Sequence, residues 1–350
     1  MAFEALISSI LLWFGIYSIL SLSLNIEYGY GGIPNFGKAL AVLVGAFTSG
    51  AIVNRILIFM FSIKGETITQ RSGFMKSTVD AIIAGNPAYG LFLLLFTLLI
   101  AALIGAIVGA LFILPSAKLE SDYLAITLLA IAEIMFMIAY YDTDIIGGYY
   151  GAPIPDVLAF VSGEVREWAY VVLVLFFTLL TYLFLERTLN SPYGRLLRAM
   201  REDAVALQFS GKDIMWVRIK TLAFSSAIAS MTGVLYSFYA GNVVGIVNLF
   251  ARVNWTFFPF LMVLLGGMSN NRGVLAGVFS FVVIWRLLDG YKHDIADFLH
   301  LPFDVNWLQY IIFGALMIAI LYYRPEGIVR EKPIETEPIK ELKSKHSEKA

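Results

Sequence analysis

Residues 87–114 read PAYGLFLLLFTLLIAALIGAIVGALFIL, a continuous run without a single charged side chain. A helix needs about 20 apolar residues to cross the hydrocarbon core of a bilayer, so this run predicts a transmembrane helix at 89–114. Asn86-Pro87 suits its start and Pro115 its end. Comparable runs predict eight further spans, at 5–24, 39–61, 123–141, 168–187, 218–240, 254–268, 273–290 and 306–323. We therefore expect about nine spans, within a range of eight to ten.

The composition of the chain is that of a polytopic membrane protein. Of its 350 residues 59% are hydrophobic and 15% are charged, whereas soluble domains carry about 25% charged residues. The predicted fold is an all-α, polytopic transmembrane helical bundle of the cell membrane. The absence of cysteine excludes thiolate metal sites, and the net charge of −1 gives no indication of nucleic acid binding. We expect no cofactor in this chain and, since no catalytic constellation is visible, no enzymatic activity.

Basic residues predict the orientation, because cytoplasmic loops are enriched in lysine and arginine. The connection 187–220 and the tail after residue 325 are both rich in these residues. With nine spans they lie on the same side, which places the C-terminus in the cytoplasm and the N-terminus outside. The loop 62–86, with three basic residues, opposes this assignment. The predicted organisation is a transmembrane domain at 1–325, with a cytoplasmic segment at 188–215, and a disordered charged tail at 326–350.

The stretch GGIPNFGKAL at 31–40 is one residue short of a phosphate-binding P-loop. A P-loop requires a preceding strand and a Ser or Thr after the lysine to hold magnesium. Here Ala39 follows Lys38, and predicted membrane helices lie on both sides. We therefore interpret the stretch as a glycine-rich turn between two helices.

Several motifs in order along the chain carry a family resemblance. They are SLNIEYGYGGIPNFGKALAVLVGAF (23–47), LPSAKLESDYLAITLLAIAEI (114–134), GRLLRAMREDAVALQFSGKDIMWVRIKTLAFSSAIASMTGVLYS (194–237), VLLGGMSNNRGVLAG (263–277) and RPEGI (324–328). Together they resemble the LivM-type permeases of branched-chain amino-acid ABC importers. Lys38 stands where the family pattern has histidine, and Met268 and Asn270-Asn271 also depart from it.

The resemblance implies a permease subunit that works by alternating access and binds no ATP itself. Its expected partners are a second permease subunit, two ATP-binding subunits and an extracytoplasmic solute-binding protein. The implied substrate is a branched-chain or another small amino acid. Related permeases transport urea, short amides, sugars or nucleosides, which remain alternatives.

The segment 188–215 contains a predicted pair of short helices. Ser191-Pro192 suits the start of the first, and Arg195, Arg198 and Arg201 recur every three residues on it. Glu202 and Asp203 are expected to open the second helix, through Ser210, and Gly211 to end it. An ordinary basic loop is the alternative. The resemblance implies instead the segment that couples the permease to the ATPase, carried by Arg198, Arg201, Glu202, Asp203, Ala206 and Gly211.

Polar residues within the predicted spans are candidates for transport. Glu133 lies inside the fourth span, where burial of an ionisable group is expensive, and it could line the pathway or bond to a neighbouring helix. We interpret Asn25 as a partner of a helix break at the end of the first span, and Glu27 as interfacial. An ion-coupled secondary transporter would need a relay of intramembrane carboxylates. With Glu133 as the only deep acidic residue, that class is disfavoured, as is a membrane-embedded enzyme.

Overall fold

A computed structural model describes residues 3–114, 119–241, 251–299, 307–324 and 326–331. Every regular element in these ranges is helical, which confirms the predicted helical bundle. The α-helices are α1 Phe3–Leu24, α2 Lys38–Phe47, α3 Asn54–Met60, α4 Ile68–Gly85, α5 Pro87–Ile113, α6 Ser121–Tyr141, α7 Thr143–Ile146, α8 Glu164–Leu189, α9 Pro192–Glu202, α10 Ala204–Phe209, α11 Ile214–Ala240, α12 Phe258–Gly266, α13 Asn271–Leu299 and α14 Leu308–Tyr323.

Three π-helical turns extend these helices. Asn25–Tyr30 continues α1, Thr48–Val53 joins α2 to α3, and Val253–Phe257 leads into α12. Seven helices of the described ranges are long and apolar enough to cross a membrane, at Phe3–Tyr30, Lys38–Met60, Pro87–Ile113, Asp122–Tyr141, Val165–Leu189, Ile214–Ala240 and Asn271–Lys292. The other two predicted spans coincide with shorter apolar helices, Val253–Gly266 and Leu308–Ile320. The total of nine spans and the orientation stay predictions.

Helix α11 lies at the centre of the bundle, between α2 and α5. A Cβ atom at Gly45 would lie 1.9 Å from the carbonyl oxygen of Ser230, and one at Gly233 would lie 2.0 Å from that of Val42. Ser230 also donates a hydrogen bond of 2.7 Å to the carbonyl of Ala101 in α5. Small residues therefore allow the close helix contacts that replace the hydrophobic effect as the basis of packing inside a membrane.

The connection between α1 and α2 runs back into the depth of the bundle. Gly32 has a φ of +66° and lies against Arg201 of α9, at one end of the bundle. A Cβ atom at Gly37 would lie 2.5 Å from the carbonyl oxygen of Leu128, a residue inside α6. Irregular backbone at such a depth is tolerated where protein surrounds it. This path brings Lys38 back beside the end of α1.

The bundle has two ends, which we call the α9 end and the α4 end. At the α4 end, Lys76 donates a hydrogen bond of 2.8 Å to the carbonyl of Ile154, and Thr69 donates one of 2.8 Å to that of Gly151. Helix α4 thus lies over the connection that precedes α8, on the opposite side of the bundle from α9.

Residues 326–331, which were predicted to begin a disordered tail, are packed against the α9 end. The amide of Ile328 donates to the carbonyl of Leu265 at 2.8 Å, and that of Val329 donates to Gly266 at 3.0 Å. Glu331 accepts a hydrogen bond of 2.9 Å from Arg201. These bonds fix the start of the tail to the end of α12, and the rest of the predicted tail, 332–350, lies outside the described residues.

Candidate functional site

The helix pair of segment 188–215 begins as the sequence predicts. Ser191 accepts a hydrogen bond of 3.2 Å from the amide of Tyr193, and Pro192 opens α9. The boundary between the two helices differs from the prediction by one residue. Glu202 is the last residue of α9, whereas Asp203 alone caps α10 by accepting a bond of 2.9 Å from the amide of Ala206. Gly211 follows the end of α10 with a φ of +80°, as expected for a glycine there.

Helix α10 turns an apolar side away from the rest of the protein. None of its residues is buried, Ala206 is exposed, and the side chains of Val205 and Phe209 are 61% and 90% exposed. Their spacing of four residues puts both on one face. Sequence reasoning missed this pair, although two apolar residues at helical spacing within a charged segment are a readable signal.

Two of the three arginines of α9, Arg198 and Arg201, point the other way, into the bundle, whereas Arg195 is exposed. Arg201 donates a hydrogen bond of 2.7 Å to the carbonyl of Gly29, in the π-helical turn that ends α1, and also contacts the hydroxyl of Ser269. The guanidinium carbon of Arg198 lies 4.8 Å from the centre of the Tyr30 ring. Through these bonds α9 holds the end of α1 and the loop between α12 and α13 together.

Asn25 belongs to the same junction. Its side-chain amide donates to Asn271 at 3.1 Å and its oxygen accepts from the amide of Ser269 at 3.0 Å. A Cβ atom at Gly29, one turn after Asn25, would lie 2.0 Å from that oxygen, so only glycine fits at this position. Asn25 therefore bonds the π-helical turn to the α12–α13 loop.

A fully buried ion pair lies next to this junction, and we call it the closed pair. Lys38 Nζ is 3.2 Å from Glu27 Oε1, and both side chains have no exposed surface. Asn35 donates to the other carboxylate oxygen at 3.2 Å, and Lys38 donates to Ser225 at 2.5 Å. The interpretation of Glu27 as interfacial was wrong, because the returning 31–37 connection covers it. Glu27 is therefore a second acidic residue of the membrane helices, enclosed by protein near the end of its span.

The contacts of Lys38 also show whether the stretch GGIPNFGKAL, which resembles a P-loop, could bind a phosphate. Its ammonium group is enclosed by protein and bound by Glu27 and Ser225. The amide of the next residue, Ala39, donates to Thr256 at 3.0 Å. The groups that would hold a phosphate are thus already occupied within the protein, in agreement with a turn between two helices.

A second ion pair, which we call the open pair, lies between α6 and the turn that precedes α12. Glu133 Oε2 is 2.9 Å from Arg252 Nη1, and the two side chains are 34% and 51% exposed. Both line a cavity of about 300 Å³, whose other walls are Phe36, Ala39, Leu40, Leu43, Leu129, Ala132, Phe136, Met137, Ala251 and Val253. Glu133 thus bonds to a neighbouring segment and lines a cavity at the same time.

Arg252 was missed by sequence reasoning because it lies at the edge of a predicted span, where basic residues are common. An acidic residue in the middle of a span requires a partner. Glu133 therefore already indicated that a basic residue should lie beside it. Both of these carboxylates, Glu27 and Glu133, are paired with a cation. This arrangement differs from a relay of free carboxylates.

Comparison with known proteins assigns the family. The family described as "Branched-chain amino acid transport system / permease component" matches residues 6–321. A probable branched-chain amino acid transport permease protein LivM of Methanocaldococcus jannaschii is 55% identical over 335 residues, which cover 96% of each chain. The high-affinity branched-chain amino acid transport system permease protein LivM of Escherichia coli (strain K12) is 26% identical over 338 residues, 90% of this chain and 68% of the relative. No solved structure is significantly similar. The chain is a multi-pass membrane protein and belongs to the family of branched-chain amino acid transport permeases.

Proposed function

We propose that this protein is the permease subunit of an ABC importer for branched-chain amino acids. Support comes from its family and from the names of the two LivM permeases, which match 96% and 90% of this chain. Transport follows alternating access, in which the site opens to one side of the membrane at a time. A solute-binding protein delivers the amino acid, and a second permease subunit completes the pathway.

The orientation that we propose puts the α9 end in the cytoplasm and the N-terminus outside. Leu308–Ile320 and Val253–Gly266 would then complete nine spans. Leu308–Ile320 contains 13 residues, or about 20 Å of helix. This is less than the roughly 30 Å thickness of a hydrocarbon core. Residues adjoining each short helix would have to supply the remaining depth.

One observation carries the proposed coupling to ATP. The segment α9–α10 has two opposite sides, with Val205 and Phe209 exposed on one and Arg201 bonded to the ends of two membrane segments on the other. A partner that moves the apolar side of α10 would therefore move the end of α1 and the α12–α13 loop. We propose that two ATP-binding subunits, one on each permease, supply this movement and that ATP is bound there.

Phe209→Glu in the assembled transporter tests this assignment. The exposed ring should enter a groove of the ATP-binding subunit, where an added charge is desolvated without a partner. We expect the ATP-binding subunit to co-purify poorly, or its stimulation by the loaded binding protein to fall at least tenfold. Gln208→Glu adds the same charge to the same helix and serves as the matched control. Full assembly and full stimulated ATP hydrolysis with Phe209→Glu would place the coupling surface elsewhere.

A further inference from the structure

The open pair lies near the middle of the membrane. Glu133 is twelve residues from the first residue of α6, Ser121, which corresponds to about 18 Å along the helix. The hydrocarbon core is roughly 30 Å thick. Both charges are therefore far from the polar surfaces of a bilayer if α6 spans it.

The exposure of the pair indicates what lies beside it. With 34% of Glu133 and 51% of Arg252 exposed, contact with lipid would be expensive, and intramembrane charges face the protein interior or a water-filled cavity. The surface around the pair therefore faces water or protein rather than lipid. In the proposed importer, the pathway between two permease subunits meets that requirement.

The cavity has the size and the walls of a site for a small amphipathic molecule. Its volume of about 300 Å³ is at the lower end of ligand sites, which span roughly 300–1,000 Å³. Leu40 and Leu43 of α2 and Phe136 of α6 give it an apolar wall. Its only charged lining residues among those described are Glu133 and Arg252.

We propose that this cavity is the amino-acid site of the permease and that the open pair binds the two charged groups of the zwitterion. This inference rests on the proposed function and adds the site to it. Arg252 binds the α-carboxylate through its planar guanidinium, which suits that group. Glu133 accepts hydrogen bonds from the α-ammonium, and the aliphatic side chain lies against the apolar wall.

Binding replaces the ion pair between Glu133 and Arg252 by two ion pairs with the ligand, and the balance of charges makes this replacement reversible. Before binding, the two side chains neutralise each other at 2.9 Å. After binding, each faces the opposite charge of the ligand, so no buried charge is left without a partner. A ligand that carries only one of the two charges leaves one side chain unpaired and should bind weakly.

The turn that directly follows Arg252 is held firmly in place. Trp255 is 1% exposed and its ring centre lies 5.7 Å from that of Tyr17 and 5.0 Å from that of Tyr236. The next residue, Thr256, bonds the amide of Ala39 at the start of α2. Arg252 is therefore positioned relative to the same helix that forms part of the apolar wall.

A single cysteine can test the site, because the chain has none of its own. Ala251→Cys puts a thiol in the cavity wall of the full transporter in proteoliposomes, without binding protein and without ATP. We expect a water-soluble thiol reagent to modify it and L-leucine to slow that modification at least fivefold. Leucinamide, which lacks the carboxylate, and 4-methylpentanoate, which lacks the ammonium, should protect much less. Glu66→Cys, in a separate cavity at the α4 end, is the control that leucine should not affect.

Added substitutions identify the binding groups. In the Ala251→Cys background, Glu133→Gln should lower the discrimination between leucine and 4-methylpentanoate, and Arg252→Gln that between leucine and leucinamide. Glu133→Asp and Arg252→Lys should retain part of it. Equal protection in all backgrounds, protection by all three compounds alike, or a thiol that never reacts would overturn the proposed site. Absence of ATP-driven leucine uptake by the unmodified transporter would instead contradict the proposed function.

Discussion

The closed pair and the open pair contain the same two types of charge within the membrane domain, but they differ in access. Glu27 and Lys38 have no exposed surface, and further bonds from Asn35 and to Ser225 complete their coordination. Glu133 and Arg252 are partly exposed and line a cavity. We infer from this comparison that an intramembrane ion pair can be a structural bond or a binding site, and that the space around it decides which.

The closed pair stabilises a connection that would otherwise be costly. It bonds the π-helical turn of α1 to the first residue of α2, across the irregular stretch 31–37. Because the desolvation of two charges offsets much of their attraction, such a pair adds little net stability compared with apolar residues. Removal of one partner is nevertheless severe, because it leaves the other charge buried and unpaired.

Lys38→Met should have the largest effect on stability. It leaves the carboxylate of Glu27 fully buried without its cation, which costs about 3–5 kcal/mol. We expect a marked loss of folded transporter after heating, measured by size-exclusion chromatography, together with poor membrane expression. The neutral double variant Glu27→Gln/Lys38→Met is the control and should recover most of the loss. A stable Lys38→Met protein would show that the pair is not closed in the membrane.

Arg286→Gln should have the smallest effect on stability and uptake, and it serves as the reference for the other substitutions. Arg286 lies 3.3 Å from Asp289 within α13, and the two side chains are 18% and 33% exposed. We expect the loss to be small because Asp289 keeps a second partner in Lys292 at 3.1 Å, so its charge is not left unpaired. We expect unchanged leucine uptake and nearly unchanged thermal stability. A loss as large as that of Lys38→Met would show that any charged residue in these helices is equally sensitive.

Apolar length predicted the seven long membrane helices well, because a span needs a continuous apolar run and little else. The start of α9 at Ser191-Pro192 was also readable, since capping depends on adjacent residues. The closed pair could not be predicted, because the burial of Glu27 depends on the connection that brings Lys38, eleven residues later, back beside it. Arg252 and Glu133 are still further apart along the chain. Contacts between residues far apart in the sequence leave no local signal. The difference in exposure between the two pairs could therefore be seen only in the structure.

The most direct test compares the two pairs as neutral double variants in the same transporter. Glu27→Gln/Lys38→Met and Glu133→Gln/Arg252→Gln each remove one positive and one negative charge. Thermal stability and ATP-driven uptake of labelled leucine should be measured for both, with binding protein in excess. We expect the first variant to keep most of its uptake. The second should keep its stability and lose at least tenfold in uptake. Equal losses of uptake in both variants, or normal uptake in the second, would contradict the assignment of one structural pair and one binding pair.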